Sequence, residues 1–161
     1  MKQTSLCYIE NNGRYLMMHR TKKKNDENSG KWIGIGGKFL EDESPDECMI
    51  REVFEETAIV LESWRYRGVI TFVSDLWETE YMHLFTAFSN TDEVSDCAEG
   101  ELRWIDKNAI DELSLWQGDR VFLDIIKNDN AGFFSLKLVY KGDSLCRAVL
   151  DGNDIDFNGG R

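Results

Sequence analysis

Three glutamates, Glu52, Glu55 and Glu56, stand at i, i+3 and i+4, the spacing that brings side chains onto one face of an α-helix. Like charges so placed repel by roughly 0.2–0.5 kcal/mol per pair. They fall in the second half of a helix that the sequence predicts over residues 44–58, where the helix macrodipole already disfavours anions. Stability alone would favour lysines there, so a counter-charge is expected. A hard divalent cation, Mg²⁺ or Mn²⁺, suits carboxylate oxygens and leaves room in its shell for water and phosphate. An isolated acidic stripe has a plainer explanation, a solvated charged face, and its surroundings decide between the two.

Gly37 is followed after five residues by Glu43, and after seven more by Arg51-Glu52-Val53-Phe54-Glu55-Glu56-Thr57-Ala58-Ile59. This resembles the signature of the Nudix hydrolase family, G-x5-E-x7-R-E-U-x-E-E-x-G-U with U aliphatic, and departs from it only where Ala58 replaces the last glycine. The resemblance implies an α/β (α+β) fold, the Nudix α/β/α sandwich with a central mixed sheet, as a single domain over residues 1–161. It implies metal ligands at Glu52, Glu55 and Glu56, with the backbone carbonyl of Gly36 or Gly37. Arg51 and Glu43 would pair and orient the loop against the helix. Water would attack a phosphorus while a glutamate, Glu52 or Glu55, accepts its proton. A carboxylate from a later loop would complete the site, Glu99 in preference to Glu101. At Ala58 either the helix ends differently or the fold carries about 1–2 kcal/mol for a left-handed alanine.

Two further stretches, Trp32-Ile33-Gly34-Ile35-Gly36-Gly37-Lys38 and Leu115-Trp116-Gln117-Gly118-Asp119, resemble the oxidised-purine triphosphatase branch of that family, the MutT and 8-oxo-dGTP diphosphatase type. The resemblance implies that Trp116 stacks on a base and Asp119 bonds its edge, with Trp32, Lys38 and Arg20 as further substrate contacts. Other roles stay open: packing for Trp32, Trp116 and Phe72, and helix N-capping for Asp119. Ile33 stands where the mammalian branch has an asparagine, so it cannot bond a base edge. Lys22-Lys23-Lys24 either draws in phosphates or solvates a loop, and His19 and His83 are read as structural. The expected reaction turns a nucleoside triphosphate, such as 8-oxo-dGTP, into monophosphate and pyrophosphate. ADP-ribose or a similar diphosphate is the alternative substrate, and a non-catalytic nucleotide sensor the alternative of another class.

These side chains need elements to hold them. Ser44-Pro45-Asp46-Glu47 opens the helix with an N-cap serine, a proline at the first position and a glutamate three after the cap. Residues 5–10 and 15–19 are apolar runs flanking Asn11-Asn12-Gly13, a hairpin turn. Met49, Ile50, Val53 and Phe54 are expected to face a core. Strands are predicted over 64–73, 80–89 and 102–105, helices over 106–113 and 119–127, and a last hairpin over 133–150.

The chain's 161 residues suffice for one core, and 42% hydrophobic content with a single proline argues against disorder. A net charge of −11 disfavours long nucleic acid, which needs a basic footprint, but not a nucleotide whose charge bound cations offset. No apolar run of about 18 residues and no leader pattern is present, so no membrane partner and a cytoplasmic location are expected, as monomer or homodimer. Cys7, Cys48, Cys97 and Cys146 include no CxxC pair, so they are read as reduced thiols.

Overall fold

The structure is a computed structural model that describes residues 1–21 and 26–157. The lysine run 22–24 lies outside the described residues.

Strands β1 (Lys2–Asn11) and β2 (Arg14–His19) form the expected hairpin. Its turn places Asn12 at φ 51° and Gly13 at φ 73°, the left-handed pair that a two-residue turn between twisted strands requires. Next come β3 (Trp32–Ile33), β4 (Ile35–Lys38), helix α1 (Pro45–Thr57), β5 (Ser63–Ser74) and β6 (Glu80–Phe88). They are followed by β7 (Glu101–Asp106), helix α2 (Gln117–Ile126), β8 (Phe134–Lys141), β9 (Ser144–Leu150) and β10 (Asn153–Ile155).

The sheet runs β10-β9-β8-β5-β6-β1-β2-β3, with β4 paired to β1 and β7 to β2. It is mixed: β1 lies parallel to β6, and β5 parallel to β8, among antiparallel neighbours.

Successive side chains of a strand point to opposite faces, and both faces of the central strands are covered. Leu6 and Tyr8 of β1, with Tyr15 and Met17 of β2, join Phe122 and Leu123 of α2 in one core. Cys7 and Ile9, with Leu16 and Met18, join Met49 and Val53 of α1 in the other. Helices thus pack on both sides, the expected α/β/α sandwich, and the uninterrupted apolar runs of β1 and β2 follow from burial on both faces.

Several expectations need correction. The helix expected over 106–113 is a 3₁₀ helix over residues 107–112, opened by the Asp106 side chain accepting from the Asn108 N–H. Helix α2 starts two residues early, with Trp116 as N-cap and no side-chain cap bond; Asp119 is therefore not its cap. Phe54 is 54% exposed instead of packed. β1 begins at Lys2, three residues before its apolar run, because pairing with β6 continues to the Lys2↔Glu80 register.

No helix among the described residues is long and apolar enough to cross a membrane. None of the four cysteines forms a disulfide; Cys7, Cys48 and Cys97 are buried and Cys146 is exposed.

Candidate active site

Helix α1 is fixed at its start by the predicted capping box. Glu47 N–H donates to the Ser44 hydroxyl at 3.1 Å, and Ser44 N–H to the Glu47 carboxylate at 2.9 Å. From this anchored end the helix carries its acidic stripe towards the carboxyl terminus of β4 and the loop that follows it.

Arg51 is the hub of the stripe. Its Nε and Nη2 grip Glu43 at 2.6 and 2.9 Å, and its Nη1 reaches Glu52 at 2.8 Å and Glu55 at 3.0 Å. Nη2 also donates to the Lys38 carbonyl at 3.0 Å. Glu43 in turn accepts from Leu40 N–H at 2.7 Å. A planar guanidinium can hold this fork and a main-chain oxygen together, so the 38–43 loop is tied to the helix as the signature led us to expect.

The stripe is graded in burial. Glu55 is 56% exposed at its side chain, Glu52 is half-buried, and Glu56 is 9% exposed. Burial, reinforced by the Glu99 carboxylate beside it, pushes the Glu56 carboxyl up to about 9. Burial also raises Glu52. Glu56 Oε2 is buried without a hydrogen-bond partner, a state that costs about 1–3 kcal/mol or more and that a cation would relieve. With Arg51 drawing Glu52 and Glu55 to itself, no three acidic, histidine or cysteine groups among the described residues surround a single point.

Glu99 is held from the other side. Arg20, buried, donates to it at 3.0 Å and to Asp26 at 2.7 Å. Arg20 thus serves as a brace for Glu99 in this arrangement. Glu101 points elsewhere, pairing with Arg103 at 2.7 Å on the exposed side of β7.

These groups line one end of a cavity of about 670 Å³, with Gly36, Gly37, Lys38, Glu52, Glu56 and Glu99 together. Ile33, Phe72, Trp116 and Asp119 line it further along. Trp116 lies edge-on to Phe72 and Tyr140, with ring centroids 5.8 and 5.1 Å away, and its indole N–H donates to Asn28 at 2.8 Å. Burial pushes the Asp119 carboxyl up to about 8, so it is largely protonated at neutral pH and can both donate and accept. Glu43, Arg51 and Glu55 do not line the cavity themselves, and neither does Trp32, which stacks on His19 with centroids 4.5 Å apart.

The cavity also contains residues that sequence reasoning missed: Lys2, Thr4, Asp26, Glu27, Asn28 and Glu80. They belong to a loop and to strand ends without motif character, and only sheet register brings Lys2 beside Glu80.

The NUDIX domain model matches residues 2–124. The Nudix hydrolase YvcI of Bacillus subtilis is 31% identical over 131 residues, 78% of this chain and 79% of that protein. An oxidized purine nucleoside triphosphate hydrolase of Danio rerio is 28% identical over 140 residues, covering 84% and 87%. Among solved structures, the MutT protein of Bacillus halodurans superposes with a TM-score of 0.82 at 22% identity, covering 94% of this chain and 98% of that one.

Proposed function

The chain belongs to the NUDIX hydrolase family, and from that premise we propose that it is a divalent-metal-dependent pyrophosphohydrolase of nucleoside triphosphates. The substrate is 8-oxo-dGTP or another damaged purine nucleotide, released as monophosphate and pyrophosphate. One observation carries this reading: Glu56, whose buried Oε2 has no partner, lines with Glu52 and Glu99 the same cavity that reaches Trp116 and Asp119.

Glu52, Glu55, Glu56 and Glu99, with the Gly37 carbonyl, are the groups that would hold Mg²⁺ or Mn²⁺. Bound there, such ions neutralise phosphate charge and acidify a water. The remaining work falls to this chain's own residues. Arg51 and Glu43 keep the glutamates in register, and Glu55 or Glu52 takes the proton of the attacking water at a carboxylate oxygen. Arg20 orients Glu99, and Lys38 reaches towards the phosphates from the cavity rim.

At the far end Trp116 and Phe72 offer aromatic surface to a base, worth about 1–3 kcal/mol and indifferent to its identity. Discrimination then depends on hydrogen bonds. Ile33 supplies none, so Asp119 bears a larger share of it. The 28% identity to the Danio rerio purine enzyme over most of both chains supports the same substrate class.

The test is chromatographic separation of the nucleotide products across a panel of triphosphates and ADP-ribose, with and without EDTA. We expect Mg²⁺-dependent cleavage of purine triphosphates, lost on chelation and restored by added metal. Activity confined to ADP-ribose would overturn the substrate class, and binding without turnover would make the protein a sensor.

A further inference from the structure

The cavity wall contributed by β6 carries an acid that takes no part in the steps above. Glu80 opens that strand, and the registers Lys2↔Glu80 and Phe72↔Glu80 set it between β1 and β5. Its side chain is 13% exposed and lines the cavity with Thr4, Phe72, Trp116 and Asp119. Thr4 Oγ1 donates to Oε2 at 2.6 Å, and Lys2 Nζ stands 3.4 Å from Oε1. Lys2 is itself anchored to Glu27 at 2.7 Å.

Packing does not explain this residue. Burial raises the Glu80 carboxyl, and Thr4 and Lys2 work against that rise. An apolar side chain like that of nearby Met82, which lines the same cavity, would fill the space without desolvating a charge. Three polar side chains are instead committed to keeping an acceptor at the cavity wall. Each carboxylate oxygen has two lone pairs, so one donor apiece leaves capacity for a ligand. Asp119 is close enough for the Glu80 charge to help raise its carboxyl.

The two acids differ in kind. Neutral Asp119 presents one donor and one acceptor, whereas Glu80, held by an ammonium and a hydroxyl, presents acceptors alone. A guanine-type edge runs acceptor, donor, donor: a carbonyl oxygen, a ring N–H and an exocyclic amino group. An adenine-type ring has an acceptor where the ring N–H stands. Hypoxanthine has the carbonyl and ring N–H but no amino group.

We propose that Glu80 is a specificity-determining residue that accepts a hydrogen bond from the exocyclic amino group of a 2-amino-6-oxopurine nucleotide. Lys2 and Thr4 are its positioning residues. The assignment rests on the nucleoside triphosphate reading above. A site built around a buried acceptor rejects an analogue without the donor, because the acceptor is then left unpaired.

The experiment compares kcat/KM for dGTP with dITP, and for their 8-oxo forms, on the full chain with Mg²⁺. The pairs differ only in the amino group, and their ratio cancels any general loss of folded enzyme. Wild type is expected to favour the amino-bearing base by about tenfold or more. Glu80→Met should bring the ratio near one, and Glu80→Gln, which keeps the shape, should give an intermediate ratio if the first variant folds poorly. Equal use of dGTP and dITP by wild type, or an unchanged ratio in both variants, overturns the assignment alone. Hydrolysis confined to ADP-ribose overturns the triphosphate reading and this assignment with it.

Discussion

A β-carbon on Gly37 would stand 2.4 Å from the carboxyl carbon of Glu52. The helix carboxylate therefore rests in space that exists only because the residue opposite has no side chain. The signature glycine is thus a steric requirement of the acid beside it. Gly37→Ala should push Glu52 aside, and since misplacement by about 1 Å can cost some 100-fold in rate, kcat should fall by about 10- to 100-fold. Steady-state kinetics together with thermal unfolding will check this: a rate near wild type in a folded variant contradicts the requirement.

Glu55 is the most exposed acid of the stripe and pairs with Arg51 at 3.0 Å. An exposed pair of this kind contributes little to stability, under about 1 kcal/mol. Glu55→Gln should leave the melting temperature nearly unchanged while turnover drops by at least about 100-fold, the usual scale for a proton-transfer group. An unchanged turnover number removes Glu55 from the site.

Ala58 ends α1 at φ 65°, ψ 10°, in the left-handed region, with its N–H on the Phe54 carbonyl at 2.9 Å. The helix therefore closes as the family glycine would close it, and the fold carries the strain. Left-handed alanine costs about 1–2 kcal/mol, partly offset by the greater unfolded-state freedom of glycine. Ala58→Gly should stabilise the protein by about 1 kcal/mol, read as a shift of the denaturation midpoint at constant m-value. A destabilised variant would mean that the methyl group packs usefully.

Asp119 ties stability to pH. Burial lifts its carboxyl from 3.8 to about 8, so between those values the folded protein keeps a proton that the unfolded chain has released. Stability through this group is then highest below about pH 4 and declines as pH climbs towards 8. Asp119→Asn should flatten that decline relative to wild type, as seen in melting temperatures measured from pH 5 to pH 8. Parallel pH profiles for the two proteins would argue against a proton on Asp119.

The chemistry at α1 was legible because it is local. Ser44, Pro45 and Glu47 form a cap within one turn, and the acidic stripe is set by helical spacing alone. Asn12-Gly13 likewise specifies its own turn. Long-range features were harder to read. Phe54 belongs to the apolar sector on a helical wheel, yet it meets solvent. Asp119 suits a cap chemically, but α2 starts at Gln117, where the chain leaves Trp116 packed on Phe72 and Tyr140. Glu80 has no motif around it and gains its setting from Lys2 and Thr4, across a parallel pairing that no local pattern announces.

That parallel pairing also bears on how the chain is born. Strand β1 is paired along one edge by β2 and β4, but the partner of its other edge, β6, comes at residues 80–88, so a nascent chain carries the whole signature segment before that edge can be closed. The face of β1 and β2 that α2 covers stays open to chaperones longer still, and closing so long a loop is intrinsically slow. Arrest of translation between residues 60 and 75 should leave the emerged part sensitive to protease, glutamates included.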